Sequence, residues 1–280
     1  MCFYINTWIL EIVWLYYNMK ITVIGEICTD IFVYGETKRL SPEAPVPVFN
    51  PLYIDRNFGM GGNVVENLKS LNQDVWVKHI SQFQPIKKTR YVDDKSNHMF
   101  IRVDEGEETI TPLELTDSVI DEIKESDAII ISDYNKGFLN EKILLEIAYH
   151  SRFIVMDTKK KIGSDIINSF NFIKLNESEF HKQELNEKSE QKIIITLGSK
   201  GAQYMGEIFP SPEPKETIDV SGAGDTFTAS FTLKYLETKD VKESIIYANK
   251  MASIVVSKRG VTTPFKKRVS LDNDFKPKIY

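Results

Sequence analysis

Apolar residues fall into two alternating patterns along the chain. Nearly unbroken runs such as Ala128-Ile-Ile-Ile131 and Ile193-Ile-Ile195 are separated by stretches in which apolar positions recur at helical spacing: Val64, Leu68 and Leu71, then Ile143 and Ile147, then Phe227, Phe231 and Tyr235. Continuous runs suit strands covered on both faces of a parallel sheet, and a spacing of three or four suits a helix with one buried face. The runs predict strands over 20–25, 75–80, 128–132, 152–156, 172–175 and 192–197. Strands alternating with helices predict an α/β fold, a mostly parallel sheet with helices on both sides.

Two segments break this rhythm. Residues 31–58 carry Ser41-Pro-Glu-Ala-Pro-Val-Pro47, too proline-rich for a central strand. Residues 88–103 read as a hairpin turning at Asp93-Asp-Lys-Ser-Asn97. Together they predict a small antiparallel flap, a lid over one end of the sheet. The folded body is read as 19–280, with lid segments at about 31–58 and 88–103 and a polar terminal strap at 266–280.

Residues 1–18 are rich in Trp, Ile, Leu and Tyr, with Glu11 as the one charge. They lack a basic leader and a small-residue cleavage site, and they are marginal for a membrane span of about 20 apolar residues. The segment is read as an extension outside the fold or a loosely docked helix, with a membrane-surface anchor as the other reading. No membrane partner is expected.

Composition narrows the function classes. At 280 residues the chain can bury a full core, and 42% hydrophobic with 27% charged residues is ordinary for a globular protein. A net charge of −5 argues against nucleic acid as the main partner. The two cysteines, Cys2 and Cys28, suggest neither a disulfide framework nor a metal site, which fits a cytoplasmic protein. The four histidines share no metal-ligand spacing.

The candidate chemistry centres on Asp219-Val-Ser-Gly-Ala-Gly-Asp225, which runs directly into a helical pattern. Small residues at 222, 223 and 224 let a ligand approach the backbone, and the first helical turn offers unpaired N–H groups to phosphate. Asp225 then stands beside the anion, placed to accept a proton from an attacking hydroxyl. An isolated Gly-x-Gly-Asp is more often a plain helix cap; here companions lie elsewhere. Gly59-Met-Gly-Gly-Asn63, with Gly61, Gly62 and Asn63, opens a helix and can meet sugar hydroxyls, or is a flexible loop with an Asn cap. Asp30 follows the first strand, where α/β folds bind ligands, though a loop aspartate is commonly just solvated. Asn176-Glu177-Ser178-Glu179 reads both as a capping box and as a place where Glu179 supports Mg²⁺ through water. Thr196, Gly198 and Gly201 form a nucleotide-side loop or an ordinary turn. Lys136 and Lys159 stand at strand ends, where a lysine can neutralise phosphate or lie on the surface.

With these residues assembled, the chain resembles the ribokinase-type (PfkB) carbohydrate kinases from about Ile21 to Pro264. The resemblance implies a ribokinase-like three-layer sandwich with a lid, ATP and Mg²⁺ as cofactors, Asp225 as the catalytic base and Gly222, Ala223 and Gly224 as the anion hole. It implies Asp30, Gly61, Gly62 and Asn63 on the sugar, with Arg102 or Lys136 on its phosphate. Asn176 to Glu179, with Lys159, Thr196, Gly198 and Gly201, would lie on the nucleotide side. Within the family the resemblance is strongest to the kinases of D-glycero-β-D-manno-heptose 7-phosphate, the kinase half of a bifunctional heptose enzyme. It rests there on Arg39-Leu-Ser-Pro-Glu-Ala-Pro-Val-Pro-Val48, Ile101-Arg-Val-Asp104 and Ser132-Asp-Tyr-Asn-Lys-Gly137. It covers no nucleotidyltransferase half, the sequence ending at Tyr280.

That subgroup implies transfer to the anomeric hydroxyl, giving a heptose 1,7-bisphosphate. The alternatives are a ribokinase- or fructokinase-like activity, or a binding module that has lost efficient turnover. Two departures from the family pattern bear on this: Met60 stands where the family has glycine, and only Ser81 to Thr89 fills a connection that normally carries a further helix. A homodimer through the lid is plausible.

Overall fold

The computed structural model describes residues 19–184, 189–212 and 217–265. The extension at 1–18 and the strap at 266–280 lie outside the described residues. Six parallel strands form the body: β1 (Lys20–Gly25), β4 (Trp76–Ile80), β7 (Ala128–Asp133), β8 (Ile154–Thr158), β9 (Phe172–Asn176) and β10 (Ile193–Thr196). An antiparallel ribbon of β11 (Ala202–Tyr204) and β12 (Glu207–Phe209) completes an eight-stranded sheet in the order β12-β11-β10-β9-β8-β7-β1-β4.

Strand β7 shows why the runs were continuous. Ile129 and Ile131 enter a cluster with Ile123, Ile143, Ile147, Ile166 and Phe170. Ala128 and Ile130 enter another with Val64, Leu68, Ala229 and Leu233. A period of two therefore delivers alternate side chains to two separate cores. Helices α2 (Asp117–Glu125), α3 (Glu141–His150) and α4 (Ser164–Ser169) cover the first face. Helices α1 (Gly61–Leu71), α6 (Ala223–Thr238) and α7 (Val241–Val255) cover the second, where Phe231, Ile245 and Ala248 pack on Val155 and Ile194. A one-turn helix, α5 (Glu177–Phe180), starts at the end of β9.

The lid is a second, four-stranded sheet, ordered β3-β2-β5-β6. It comprises β2 (Ile27–Leu40), β3 (Pro47–Met60), β5 (Ile86–Asp93) and β6 (Met99–Glu105). Two of its three pairings are antiparallel, and β2 with β5 is parallel. The proline-rich stretch lies in the connection between β2 and β3 and at the start of β3. β3 is an edge strand, where proline is tolerated, and Pro51 pairs with Gly35 beside a bulge. The short connection has a structural counterpart: residues 81–85 lead β4 directly into the lid strand β5. β4 is consequently an outer strand, and Trp76 on it is 65% exposed.

Candidate active site

The site lies beyond the carboxyl ends of the parallel strands, where ligands bind in open α/β sheets. Glu26, between β1 and β2, is fully buried and organises the first wall. Its carboxylate accepts the N–H groups of Tyr134 and Lys136, both at 2.9 Å, so the loop after β7 is wrapped around it. Its carbonyl accepts the N–H of Gly61 at 2.9 Å, fixing the start of α1.

Asp225 stands at the centre, in the first turn of α6 and 5% exposed. Asn63 Nδ2 donates to Oδ2 at 2.9 Å and the Tyr134 hydroxyl donates to Oδ1 at 2.8 Å. Burial pushes the carboxyl up from its usual 3.8 to about 6; the Asn63 bond opposes that rise, the charge of Asp157 adds to it, and the Tyr134 bond and Lys174 oppose it. Such a group is ionised at neutral pH yet close enough to it to accept a proton. Each oxygen retains acceptor capacity for a substrate hydroxyl.

Gly222 caps α6 with φ of 79° in the left-handed region, and a Cβ there would lie 2.6 Å from Asn63 Nδ2. Glycine thus serves twice, forming the bend and leaving room for the side chain that holds the carboxylate. The N–H of Ala223 turns back to Val220 O at 3.3 Å, so the helix start can address an anion with the amides of Gly224 and Asp225. Under Gly224 lies Lys174, 7% exposed, whose Nζ is paired with Asp157 at 2.8 Å. A Cβ on Gly224 would come within 3.0 Å of that nitrogen.

Two cavities flank this turn. One, of about 450 Å³, is lined by Lys174, Asn176, Thr196, Gly198, Gly201 and Gly224 at its polar end, with Phe227, Asn249, Ala252 and Val256 deeper in. The other, of about 390 Å³, lies under the lid and includes Phe32, Arg90, Asn97, Arg102, Asp219 and Ser221. Val220 faces both.

The chain matches the family model for pfkB carbohydrate kinases over residues 60–268, about three quarters of its length. It belongs to that family. The bifunctional protein HldE of Helicobacter pylori J99 is 32% identical over 93% of this chain, and the HldE of Helicobacter acinonychis is 33% identical over the same share. The match spans 68% of each of those proteins. Among solved structures, ribokinase from Thermotoga maritima has a TM-score of 0.66 at 20% identity, covering 89% of this chain and 97% of that one. Arabidopsis thaliana ribokinase, solved with ribose and ATP, has a TM-score of 0.62 at 16% identity, covering 87% and 94%. These neighbours show the ribokinase fold, and the family makes the chain an ATP-dependent carbohydrate kinase.

Not every residue singled out in this carbohydrate kinase lies where the sequence suggested. Asp30 is inside lid strand β2 rather than in a loop, buried and ion-paired with Arg90 of the adjacent β5. Asn176 and Glu179 do form the capping box: Asn176 Oδ1 accepts from Glu179 N at 2.8 Å, and Glu179 Oε2 accepts from Asn176 N at 2.7 Å. Glu177 and Ser178 are exposed on the outer side of that turn and stand outside the cavity lining. The Lys136 ammonium is paired with Glu107, which also lies 3.2 Å from Lys88. Lys159 stacks its Nζ over the Tyr134 ring at 4.5 Å. Arg102 is bound through two nitrogens to Asp104 at the rim of the lid cavity. Gly61 and Gly62 begin α1 and are buried against Glu26, His79 and Ile27. Met60 takes φ of 55°, a conformation favouring glycine, and sends its side chain into a pocket with Cys28 and Ile86.

Sequence reasoning missed Lys174, Tyr134, Glu26 and Arg90 as site residues. Lys174 had a detectable signal, since it interrupts the apolar run Phe172-Ile-Lys-Leu175 and pairs in register with Asp157 on β8.

Proposed function

We propose that this kinase transfers the γ-phosphoryl group of ATP to the anomeric hydroxyl of a heptose 7-phosphate. The observation that carries the reaction is the placement of Asp225. It is a nearly buried carboxylate held by Asn63 and Tyr134, on the first turn of a helix whose start opens toward a cavity with a buried lysine. The nucleotide base would occupy the 450 Å³ cavity near Phe227 and Val256. Its phosphates would approach Lys174 and the amides of Gly224 and Asp225. The sugar would lie between Asp30, Asn63 and Asp225 as the lid covers it. Asp225 takes the hydroxyl proton while the oxygen attacks in line, and the amides and Lys174 meet charge developing on the transferred group.

Mg²⁺ would neutralise phosphate charge in this chemistry. No cluster of three or more metal-ligating side chains occurs among the described residues. The capping-box carboxylate of Glu179 suits a cation bound mainly by phosphates and water, with Glu179 reaching it through a water molecule.

Support for a phosphorylated sugar comes from the lid cavity, whose lining includes Arg90 and Arg102, paired with Asp30 and Asp104. The string at 39–48 and the motifs at 101–104 and 132–137 resemble the heptose 7-phosphate kinases. The HldE relatives are described as bifunctional, as the heptose enzyme of that resemblance is. We also propose a cytoplasmic protein that forms a homodimer through the exposed lid residues Leu40, Leu52 and Ile101; light scattering would test the dimer. No helix among the described residues is long and apolar enough to cross a membrane.

The test is ADP release with ATP and a panel of sugars and sugar phosphates. The expected result is a kcat/KM for D-glycero-β-D-manno-heptose 7-phosphate well above those for ribose, fructose and fructose 6-phosphate. A preference for an unphosphorylated sugar overturns the substrate assignment. Thermal stabilisation by ligands without ADP formation would favour the binding-module reading instead.

A further inference from the structure

We propose that Tyr134 is a positioning residue for phosphoryl transfer: its phenol, set in place by the buried carboxylate of Glu26, donates to Asp225 Oδ1 and keeps that carboxylate ionised and aimed at the sugar hydroxyl. This inference rests on the reading of Asp225 as the base.

The geometry has three parts. First, the loop after β7 is built to present this side chain. Asn135 and Gly137 both take positive φ, 57° and 102°, which bends the chain tightly. The N–H groups of Tyr134 and Lys136 converge on Glu26 at 2.9 Å, and that of Phe138 reaches it at 3.4 Å. A fully buried carboxylate with three backbone donors is a rigid anchor.

Second, the phenol is held as a donor. Burial and the charges of Asp225 and Asp157 push its ionisation well above the usual 10, so it keeps its proton throughout the working range. The ring face carries Lys159 Nζ at 4.5 Å and Lys88 Nζ at 5.8 Å, two cations that fix its plane.

Third, the carboxylate needs donors. The groups facing Asp225 are Asn63 on α1, Tyr134 after β7, Asp157 on β8, Lys174 on β9 and Cys28 on the lid strand β2. Burial and Asp157 favour its protonation; Asn63, Tyr134 and Lys174 oppose it. Asn63 and Tyr134 take one oxygen each, so the plane of the carboxylate is defined by the pair. Loss of the phenol hydroxyl leaves Oδ1 without its donor in a desolvated place, and the carboxyl then holds its proton more tightly.

The test is Tyr134→Phe, which keeps the ring and its packing. In protein labelled with ¹³C at the Asp carboxyls, the Asp225 titration is expected to move up by about one pH unit. This arm uses no substrate and stands even if the sugar assignment fails. In the kcat/KM profile the acid limb is expected to move with it. A one-unit rise from about 6 lowers the ionised fraction about fivefold at pH 6 and hardly at all at pH 8.5. Ionisation of a phosphorylated substrate is common to both proteins and cancels in the comparison. An unmoved Asp225 titration overturns the proposal, as does a moved titration with an unmoved acid limb. An equal loss of activity at pH 6 and 8.5 would also overturn it, since that is the mark of a merely structural tyrosine.

Discussion

Replacing Asp225 by Asn separates its chemical role from its structural one. The amide oxygen can accept from Asn63 as the carboxylate does, and the amide nitrogen can donate to the Tyr134 hydroxyl, which accepts as well as donates. Both contacts survive, so the fold should persist. Proton acceptance does not survive, and turnover is expected to fall by about 10²–10⁴-fold, with ATP still binding. The same change should alter stability in a defined direction. Burial raises the folded-state pKa from 3.8 to about 6, so the ionised group opposes folding above pH 6. That penalty disappears as pH falls below 3.8. It amounts to about 3 kcal/mol over the whole window, with about 2 kcal/mol falling between pH 7.5 and 4.5. The stability of Asp225→Asn relative to wild type, measured by urea unfolding, should therefore be about 2 kcal/mol more favourable at pH 7.5 than at pH 4.5. Groups common to both proteins cancel. Near-normal turnover in the variant refutes Asp225 as the base. A stability gap independent of pH refutes the account of its burial.

Three other perturbations test the surrounding site. Lys174→Met should raise the KM for ATP at least tenfold and destabilise the protein by about 3 kcal/mol, because Asp157, whose side chain is only 12% exposed, is left without its cation. Adding Asp157→Asn should recover stability but not ATP affinity, and an unchanged KM in the single variant contradicts the assignment of Lys174 to phosphate. Gly222→Ala forces a side chain into a left-handed position and against Asn63; a loss of about 1–3 kcal/mol in urea unfolding and a fall in kcat are expected, and wild-type values for both would be contrary. Burial, reinforced by Asp30, pushes the Cys28 thiol above its usual 9, so iodoacetamide at pH 8 should leave it unmodified until urea is added. Peptide mapping reads this directly, and rapid labelling of the native protein would contradict the structure.

The layered fold was legible because the central strands are apolar at most positions on both faces, a pattern a sequence displays openly. The helix-opening turn was legible because Gly222, Ala223, Gly224 and Asp225 are contiguous. Lys174 was hidden by the opposite circumstance. A single lysine in a strand reads as a surface residue, and only the parallel register that sets it beside Asp157 shows it to be buried. Tyr134 and Glu26 meet across 108 positions, and a hydrogen bond of that span has no local signature. The length of the lid strands was obscured by Pro47 and Pro51, which argue against a strand until β3 is known to be an edge. Lys136 and Lys159 were placed correctly at strand ends, but their ammonium groups have other partners, Glu107 and the Tyr134 ring. Strand position was readable, and side-chain partnership was not.

The most direct test of the central claim is ³¹P NMR of the purified protein incubated with ATP, Mg²⁺ and D-glycero-β-D-manno-heptose 7-phosphate. The account predicts ADP together with a second sugar phosphate resonance coupled to the anomeric proton, and formation of both slowed by about 10²–10⁴-fold in Asp225→Asn. A new phosphate on any other hydroxyl, or ATP and sugar phosphate both left intact by the wild-type protein, would contradict it.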